Sequence, residues 1–367
     1  MSIEEGTLNL NELSHISVMG IDFGYKYYLN NESNNKKLII HPLPLETVKF
    51  NKGLEFFSYE TLTLLRSKAH FGIKHGTDLV NTLYYTFEGL ICEENKGINE
   101  LLTLRALYSD MIVRLGIILE DFAGMCFSCE KFIDKKVDIA QSFLSYSDPR
   151  SLYKSINSKK GRAKIKKIFL LPRSIGNLNK MFNDLSKEEI NLLWKAVEVT
   201  TDIIAERFKI IGSTIVAKTE DNVTLYDIYN KLKHGFSPIY LYQSPMLLVI
   251  ENVSGNEKIE EIIREELFEN FTIMHNKLSG QQSEQEQIAL ESESLETATF
   301  TSERVSIEQA DKMREVVTDI SLLYPHLIKN YLNLAEGYEP LELLLPKKHF
   351  NEEEIRNIRD LFKNKKK

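Results

Sequence analysis

The stretch NELLTLRALYSDMIVRLGIILEDFAGMCFSCEKF, residues 99–132, carries the strongest structural signal in this chain. Its apolar residues recur at spacings of three and four, which predicts an amphipathic helix with a broad apolar face. At 3.6 residues per turn, the stretch is long enough for about nine turns. It forms either one long helix or two helices joined near Gly116 or Gly124. Both alternatives predict a mainly helical protein.

Further helices are predicted on both sides of this segment. Before it, the same spacing of apolar residues begins at Tyr59. After it, SKEEINLLWKAVEVTTDIIAERFKIIG begins with Ser186 and Glu189 at capping-box spacing and stops at Gly212, a residue type that commonly ends helices. The other segments with a helical pattern are 222–235, 256–278, 306–337 and 351–367, the last of which frays into lysines.

Two regions depart from the helical pattern. Near the N-terminus, β-branched and aromatic residues alternate with Asn and Pro, which predicts strands at 16–23 and 37–41 and a turn at 30–35. Residues 236–255, FSPIYLYQSPMLLVIENVSG, are aromatic and β-branched, and two prolines interrupt them. This composition predicts a short hairpin after the helical part.

The sequence therefore predicts a mainly α protein in three parts. Residues 1–58 form a small β-containing segment, and residues 59–236 form a helical bundle that includes a basic loop at 149–183. Residues 237–367 contain the hairpin, a polar connector at 279–299 and the C-terminal helices. The connector is rich in Ser, Gln and Glu, so it is either a flexible linker or a polar edge strand.

Composition limits the environment and the chemistry. Three cysteines, Cys92, Cys126 and Cys129, cannot build a disulfide framework, so a reducing cytoplasm is expected. The chain has neither a signal-peptide pattern nor a run of about 18 apolar residues, so no membrane partner is expected. Cys126 and Cys129 have the spacing of a redox pair, but they lie inside a helical pattern without further zinc ligands. They are predicted to be buried small residues, and neither a metal nor a cofactor is expected.

Charge is distributed unevenly along the chain. The net charge is −7, yet residues 149–183 contain ten basic residues and no acidic one. The members of this basic block that we predict to contact nucleic acid are Lys154, Lys159, Lys160, Arg162, Lys164, Lys166 and Lys167. Such cation density is typical of a phosphate-binding surface, on which Tyr153 and Phe169 are candidate stacking faces. A solvated loop in an acidic protein is the alternative.

A second basic stretch, YNKLKHGF at 229–236, ends one of the predicted helices. Asn230 and His234 are four residues apart and share a helix face, which Lys231 also reaches, while Lys233 points toward Tyr229. An imidazole has an unperturbed pKa of about 6.5, so it can accept or donate a proton near neutral pH. A nearby cation can hold a phosphate while its charge develops.

Asn230 and His234 resemble the Asn and His of the R-N-x-x-x-H motif of HEPN domains, and Tyr229 stands where that family has its arginine. The resemblance covers residues 77–236 at most and implies a HEPN-like helical bundle that forms a homodimer with facing motifs. It also implies a metal-independent ribonuclease, or an RNA-binding protein, in a toxin or defence role. In that role His234 is the general acid or base, Asn230 orients it or the phosphate, and Lys231 helps to hold RNA.

Tyr229 leaves an alternative open, because its side chain lacks the bidentate fork with which arginine holds a phosphate. In the alternative, the protein is a non-catalytic dimerisation or protein-interaction module. Lys231, Lys233 and His234 then complement the negative end of a helix that stops at Gly235. RNA, a second copy of the chain and another protein are therefore all candidate partners.

Overall fold

The computed structural model describes residues 14–18, 21–30, 35–70, 72–93, 96–146, 148–216, 224–234, 270–276 and 298–363. The strands are β1 (Ser14–Val18), β2 (Ile21–Asn30), β3 (Asn35–Pro42), β4 (Asn270–Asn276) and β5 (Ala298–Arg304). The first helices are α1 (Pro44–Gly53), α2 (Tyr59–His70), α3 (Lys74–Ile91), α4 (Ile98–Lys135), α5 (Ile139–Leu144) and α6 (Pro149–Ile156). They are followed by α7 (Gly161–Ile168), α8 (Ile175–Met181), α9 (Lys187–Val216), α10 (Leu225–Lys233), α11 (Ile307–Ala335) and α12 (Glu352–Lys363). The chain is mainly helical, as predicted, and none of these helices is both long enough and apolar enough to cross a membrane.

The long helix α4 is the centre of the bundle. It is continuous through Gly116 and Gly124, so the one-helix alternative is confirmed. Its end is marked by Lys136, which adopts a left-handed conformation with φ of 56°. Helices α3, α5, α6, α7, α10 and α11 all pack against it. Because partners surround α4, Tyr108 and Phe122 have no exposed surface.

Helix α9 begins as predicted but does not end as predicted. The capping box is present, since the Ser186 N–H donates to Glu189 Oε2 at 2.8 Å and the Glu189 N–H donates to Ser186 Oγ at 3.2 Å. The helix continues through Gly212 as far as Val216. Asn157 approaches α9 closely at Gly212, because a Cβ atom at this position would overlap the Asn157 amide. The glycine therefore makes room for the connection between α6 and α7.

Helix α11 shares the core of the bundle, although it lies near the C-terminus. It packs against α2, α3, α4 and α9. Tyr324 and Tyr331 of α11 are fully buried. The hydroxyl of Tyr324 donates to Asp121 Oδ1 at 2.6 Å, and that of Tyr331 lies 3.0 Å from the carbonyl oxygen of Ile168. Each buried hydroxyl therefore has an acceptor, as a buried polar group requires.

Among the described residues, two antiparallel sheets accompany the helices. At the N-terminus, β2 lies between β1 and β3, with Ile16 opposite Phe23 and Tyr25 opposite Ile40. The other sheet pairs β4 with β5. Residues 270–276 were predicted to be helical, which is wrong; they form β4, and Phe271, Thr272 and Ile273 are residue types that favour strands. The hairpin predicted at 236–255 and most of the connector at 279–299 lie outside the described residues.

The basic block at 149–183 is not a loop but contains the three short helices α6, α7 and α8. Side chains cap two of these helices, since Asp148 Oδ1 accepts the Ser151 N–H at 3.1 Å and Ser174 Oγ accepts the Asn177 N–H at 3.2 Å. Gly161 begins α7, where a Cβ atom would overlap the carbonyl oxygen of Ile156. A tight turn, which only glycine fits, therefore joins α6 to α7.

The two neighbouring cysteines are structural, as predicted. Cys126 and Cys129 both have no exposed surface. Burial raises the pKa of the Cys129 thiol to about 12, and burial also raises the pKa of Cys126. Both thiols are therefore protonated and unreactive at neutral pH.

A substitution at Gly116 tests how closely α10 approaches α4. A Cβ atom at Gly116 would overlap the ring of Tyr229, a side chain that is only 1% exposed. We expect Gly116→Ala to lower the free energy of unfolding by about 2–3 kcal/mol, measured by urea denaturation. Gly89→Ala is the control, because nothing lies within 4 Å of its Cβ position, and it should stabilise α3 by about 0.5–1 kcal/mol. Equal stability of the two variants would contradict this account.

Candidate functional site

Helix α10 contains Tyr229 and Asn230 and is followed by His234. Two reciprocal hydrogen bonds cap its first turn. Thr224 precedes the helix, and its Oγ1 accepts the Asp227 N–H at 3.3 Å. In return, the Thr224 N–H donates to Asp227 Oδ2 at 2.9 Å. This reciprocal capping box fixes where the helix begins, so the positions of Tyr229, Asn230 and His234 along it are also fixed.

Glu120 of α4 holds α10 in place. Tyr226 donates its hydroxyl to Glu120 Oε1 and Tyr229 donates to Oε2, each at 2.9 Å. Lys233 lies one turn beyond Tyr229, and its Nζ is 2.8 Å from Glu120 Oε2. The same Nζ is 5.4 Å from the centre of the Tyr229 ring, so the prediction that Lys233 points toward Tyr229 is confirmed. Three donors on one face of α10 therefore converge on a single carboxylate, and charge-assisted hydrogen bonds of this kind are stronger than neutral ones.

Arg150 of α6 makes a second attachment, at the start of α10. Its guanidinium forms an ion pair with Asp227 and lies 4.9 Å from the centre of the Tyr226 ring. Burial opposes ionisation of Asp227, but hydrogen bonds from Thr224 and Arg150 outweigh it and lower the pKa of this carboxyl. Asp227 is therefore ionised at neutral pH, and Arg150 is engaged by it.

The predicted catalytic residues lie on the outer part of α10. His234 is exposed and follows the last residue of the helix, where its N–H donates to the Lys231 carbonyl oxygen at 3.1 Å. Asn230 and Lys231 are half-buried. Within the described part of the chain, no hydrogen bond orients the imidazole of His234. The structure thus places the three residues near one helix end but gives His234 no orienting partner there.

The position that the motif assigns to arginine is fully occupied by Tyr229. Only 1% of Tyr229 is exposed, its ring covers Gly116, and its hydroxyl donates to Glu120. Burial, followed by the hydrogen bond to Glu120, raises the pKa of this hydroxyl well above its usual value. Tyr229 therefore stays neutral and supplies no positive charge for a phosphate.

Most of the predicted RNA-binding cations are engaged by acidic residues of the bundle. Arg162 pairs with Glu198 at 2.6 Å and also with Asp202. The remaining pairs are Lys164 with Glu130 at 3.0 Å, Lys166 with Glu198, and Lys167 with Asp134 at 2.8 Å. Intramolecular ion pairs therefore neutralise most of the positive charge of α7.

Three of the seven predicted RNA-binding cations remain. Lys154, Lys159 and Lys160 are exposed and form no ion pair within the described part of the chain. Lys159 and Lys160 lie in the tight turn before Gly161, which we call the basic turn (residues 158–160). Tyr153 and Phe169, predicted as stacking faces, have no exposed surface, so that prediction is wrong. Both rings pack in the core against Phe208 of α9.

The residues that hold α10 in place were not predicted from the sequence. Glu120, Tyr226, Asp227 and Arg150 lie in different parts of the chain, and a short motif does not connect them. One available signal was the pair of adjacent acids Glu120 and Asp121 in the middle of a long apolar helix. Half-buried acids need hydrogen-bond donors, and the tyrosines of α10 and α11 supply them.

Neither a family model, nor a curated protein, nor a solved structure matches this chain. Among the described residues, no group of three or more His, Cys, Asp or Glu side chains is arranged to bind a metal ion. The function is therefore inferred from the geometry of α10 and the basic block.

The hydrogen bond between Tyr229 and Glu120 can be tested by removing one oxygen atom. We expect Tyr229→Phe to lower the free energy of unfolding by about 1–2 kcal/mol, because a charged acceptor loses one of its three donors. Tyr59→Phe is the matched control, since 62% of Tyr59 is exposed, and it should change stability by less than about 0.5 kcal/mol. If urea denaturation shows the two variants to be equally stable, Tyr229 does not anchor α10.

Proposed function

We propose that the protein is a non-catalytic interaction module, in which α10 is a structural helix and His234 ends it. The observation that carries this proposal is the hydrogen bond between the buried Tyr229 hydroxyl and Glu120, 2.9 Å long. It replaces the phosphate-binding cation of the motif with a neutral group joined to a carboxylate.

Electrostatics at this position oppose phosphate binding. Glu120 carries a negative charge beside Tyr229, and the nearby cation Lys233 is already paired with it. A phosphate at this point would meet the carboxylate without a free guanidinium to offset the repulsion. RNA cleavage by His234 would therefore lack stabilisation of the charge that develops in its transition state.

The surface of the N-terminal sheet and α1 supports interaction with a partner. Leu38 and Ile40 of β3 are 57% and 53% exposed, and Leu45 and Val48 of α1 are each 63% exposed. Large apolar side chains exposed in this way are candidates for a protein-interaction surface. We take the partner to be a second copy of the chain, in line with the homodimer that the HEPN resemblance implies.

One set of preparations tests both parts of this proposal. The wild-type protein and a His234→Ala variant are incubated with total RNA in EDTA, and both are expected to leave the RNA intact. Sedimentation velocity should show a concentration-dependent dimer that the double substitution Leu45→Asp and Val48→Asp converts to monomer. Leu144→Asp is the control, because Leu144 of α5 is 86% exposed outside this surface.

Two results would contradict the proposal. The first is RNA cleavage by the wild-type protein that is lost in the His234→Ala variant, which would make His234 catalytic. The second is a monomer at all concentrations, with no difference between the α1 variant and the Leu144→Asp control. The first result bears on catalysis and the second on the partner, so the two failures are distinguishable.

RNA binding without cleavage is a second candidate function, favoured by the basic turn. Lys154, Lys159 and Lys160 are exposed and, unlike the cations of α7, form no ion pair in the described part of the chain, so they are available to phosphate oxygens. Affinity from such contacts depends on salt, because binding releases counterions from the nucleic acid. The affinity of the Lys159→Ala and Lys160→Ala double variant for a short oligonucleotide, compared with that of the wild type, tests this candidate.

A further inference from the structure

A polar cleft of about 490 Å³ opens between the second half of α4 and the helices α6 and α7. Its volume lies within the range of roughly 300–1,000 Å³ that is usual for small-molecule sites. The cleft is separate from the contact between α10 and Glu120, and none of the predicted catalytic residues lines it. It therefore calls for its own explanation.

The cleft has an aromatic floor. The rings of Phe127 and Tyr146 lie 4.8 Å apart between centres, at an angle of 34°. Tyr146 approaches α4 at Gly124, where a Cβ atom would lie 3.2 Å from the ring. The Tyr146 hydroxyl donates to the Asp148 carbonyl oxygen at 2.5 Å, so the ring is held in place. Both rings are only half-buried and can contact a planar group of a ligand.

The carboxylates at the cleft are already engaged. Glu130 pairs with Lys164 at 3.0 Å and Asp134 pairs with Lys167 at 2.8 Å. The hydrogen bond from Lys167 is the main cause of the lowered pKa of Asp134. Asp148 accepts the N–H of Ser151 at the start of α6. These acids therefore oppose a bound anion less than unpaired carboxylates would.

Two cations at the cleft are not engaged in this way. Lys131 and Lys135, one turn apart on α4, form no ion pair with any carboxylate in the described part of the chain. Lys131 lies 5.1 Å from the centre of the Phe127 ring, beside the aromatic floor. Ser151 of α6 adds a hydroxyl that has no acceptor among the described residues. The cleft thus combines a ring-binding floor, a hydroxyl and two available ammonium groups.

We propose that this cleft binds a nucleoside monophosphate, either as a free nucleotide or as one nucleotide of an RNA strand. The base lies against Phe127 and Tyr146, since aromatic side chains accept any base by stacking. The phosphate lies toward Lys131 and Lys135, whose ammonium groups donate to its oxygens. The ribose hydroxyls lie toward Ser151. This inference depends neither on His234 nor on the proposed dimer, and its RNA form names a nucleotide site beside the basic turn of the second candidate function.

The test uses the full chain and isothermal titration calorimetry with three probes: AMP, UMP and a short oligouridylate. The wild-type protein should bind at least one probe with one saturable site per chain. The double substitution Lys131→Ala and Lys135→Ala should weaken that binding about tenfold or more, because it removes two charge-assisted contacts. Lys347→Ala with Lys348→Ala is the matched control, since it removes the same charge from two exposed lysines that do not line the cleft. Urea denaturation of each variant checks that it is folded.

The outcomes separate the two sources of the ligand. Binding of AMP or UMP that depends on Lys131 and Lys135 supports a free nucleotide. Binding of the oligouridylate alone, with the same dependence, supports an RNA strand. Absence of binding for all three probes at low millimolar concentration overturns the inference. So does binding that the Lys131→Ala and Lys135→Ala variant retains in full, or that the control variant weakens to the same extent.

Discussion

The carboxylate of Glu120 determines what α10 can do. It accepts hydrogen bonds from Tyr226 and Tyr229 and pairs with Lys233, so three side chains of α10 turn inward toward α4. The Tyr229 ring must then lie on the backbone of α4, which requires glycine at position 116. His234 is left at the exposed end of the helix. The attachment of α10 therefore explains both the position of the motif and its missing cation.

The long elements of the fold follow from the sequence, whereas several short ones do not. Helices α4, α9 and α11 repeat an apolar face over many turns, so their periodicity outweighs local exceptions. Gly212 looked like a helix end because its close contact with Asn157 depends on tertiary packing. The short helices α6 and α7 were missed because they span only two turns each and are rich in polar residues.

The candidate site was only partly predictable for a related reason. The spacing of Asn230 and His234 is local and can be read from the sequence. Tyr229, in contrast, is 109 residues away from its acceptor Glu120. The basic block illustrates the same difficulty, since Lys166 is 32 residues from its partner Glu198. Local charge density therefore overestimated the positive surface, because only the fold shows which cations are already paired.

The Tyr229 hydroxyl and the Glu120 carboxylate stabilise each other, and a double-mutant cycle measures the energy of this interaction. The free energies of unfolding of the wild type, Tyr229→Phe, Glu120→Ala and the double variant give the coupling energy between the two side chains. We expect a favourable coupling of about 1–2 kcal/mol, because a buried hydroxyl donates to a charged acceptor. Additive effects of the two substitutions, with a coupling near zero, would contradict it.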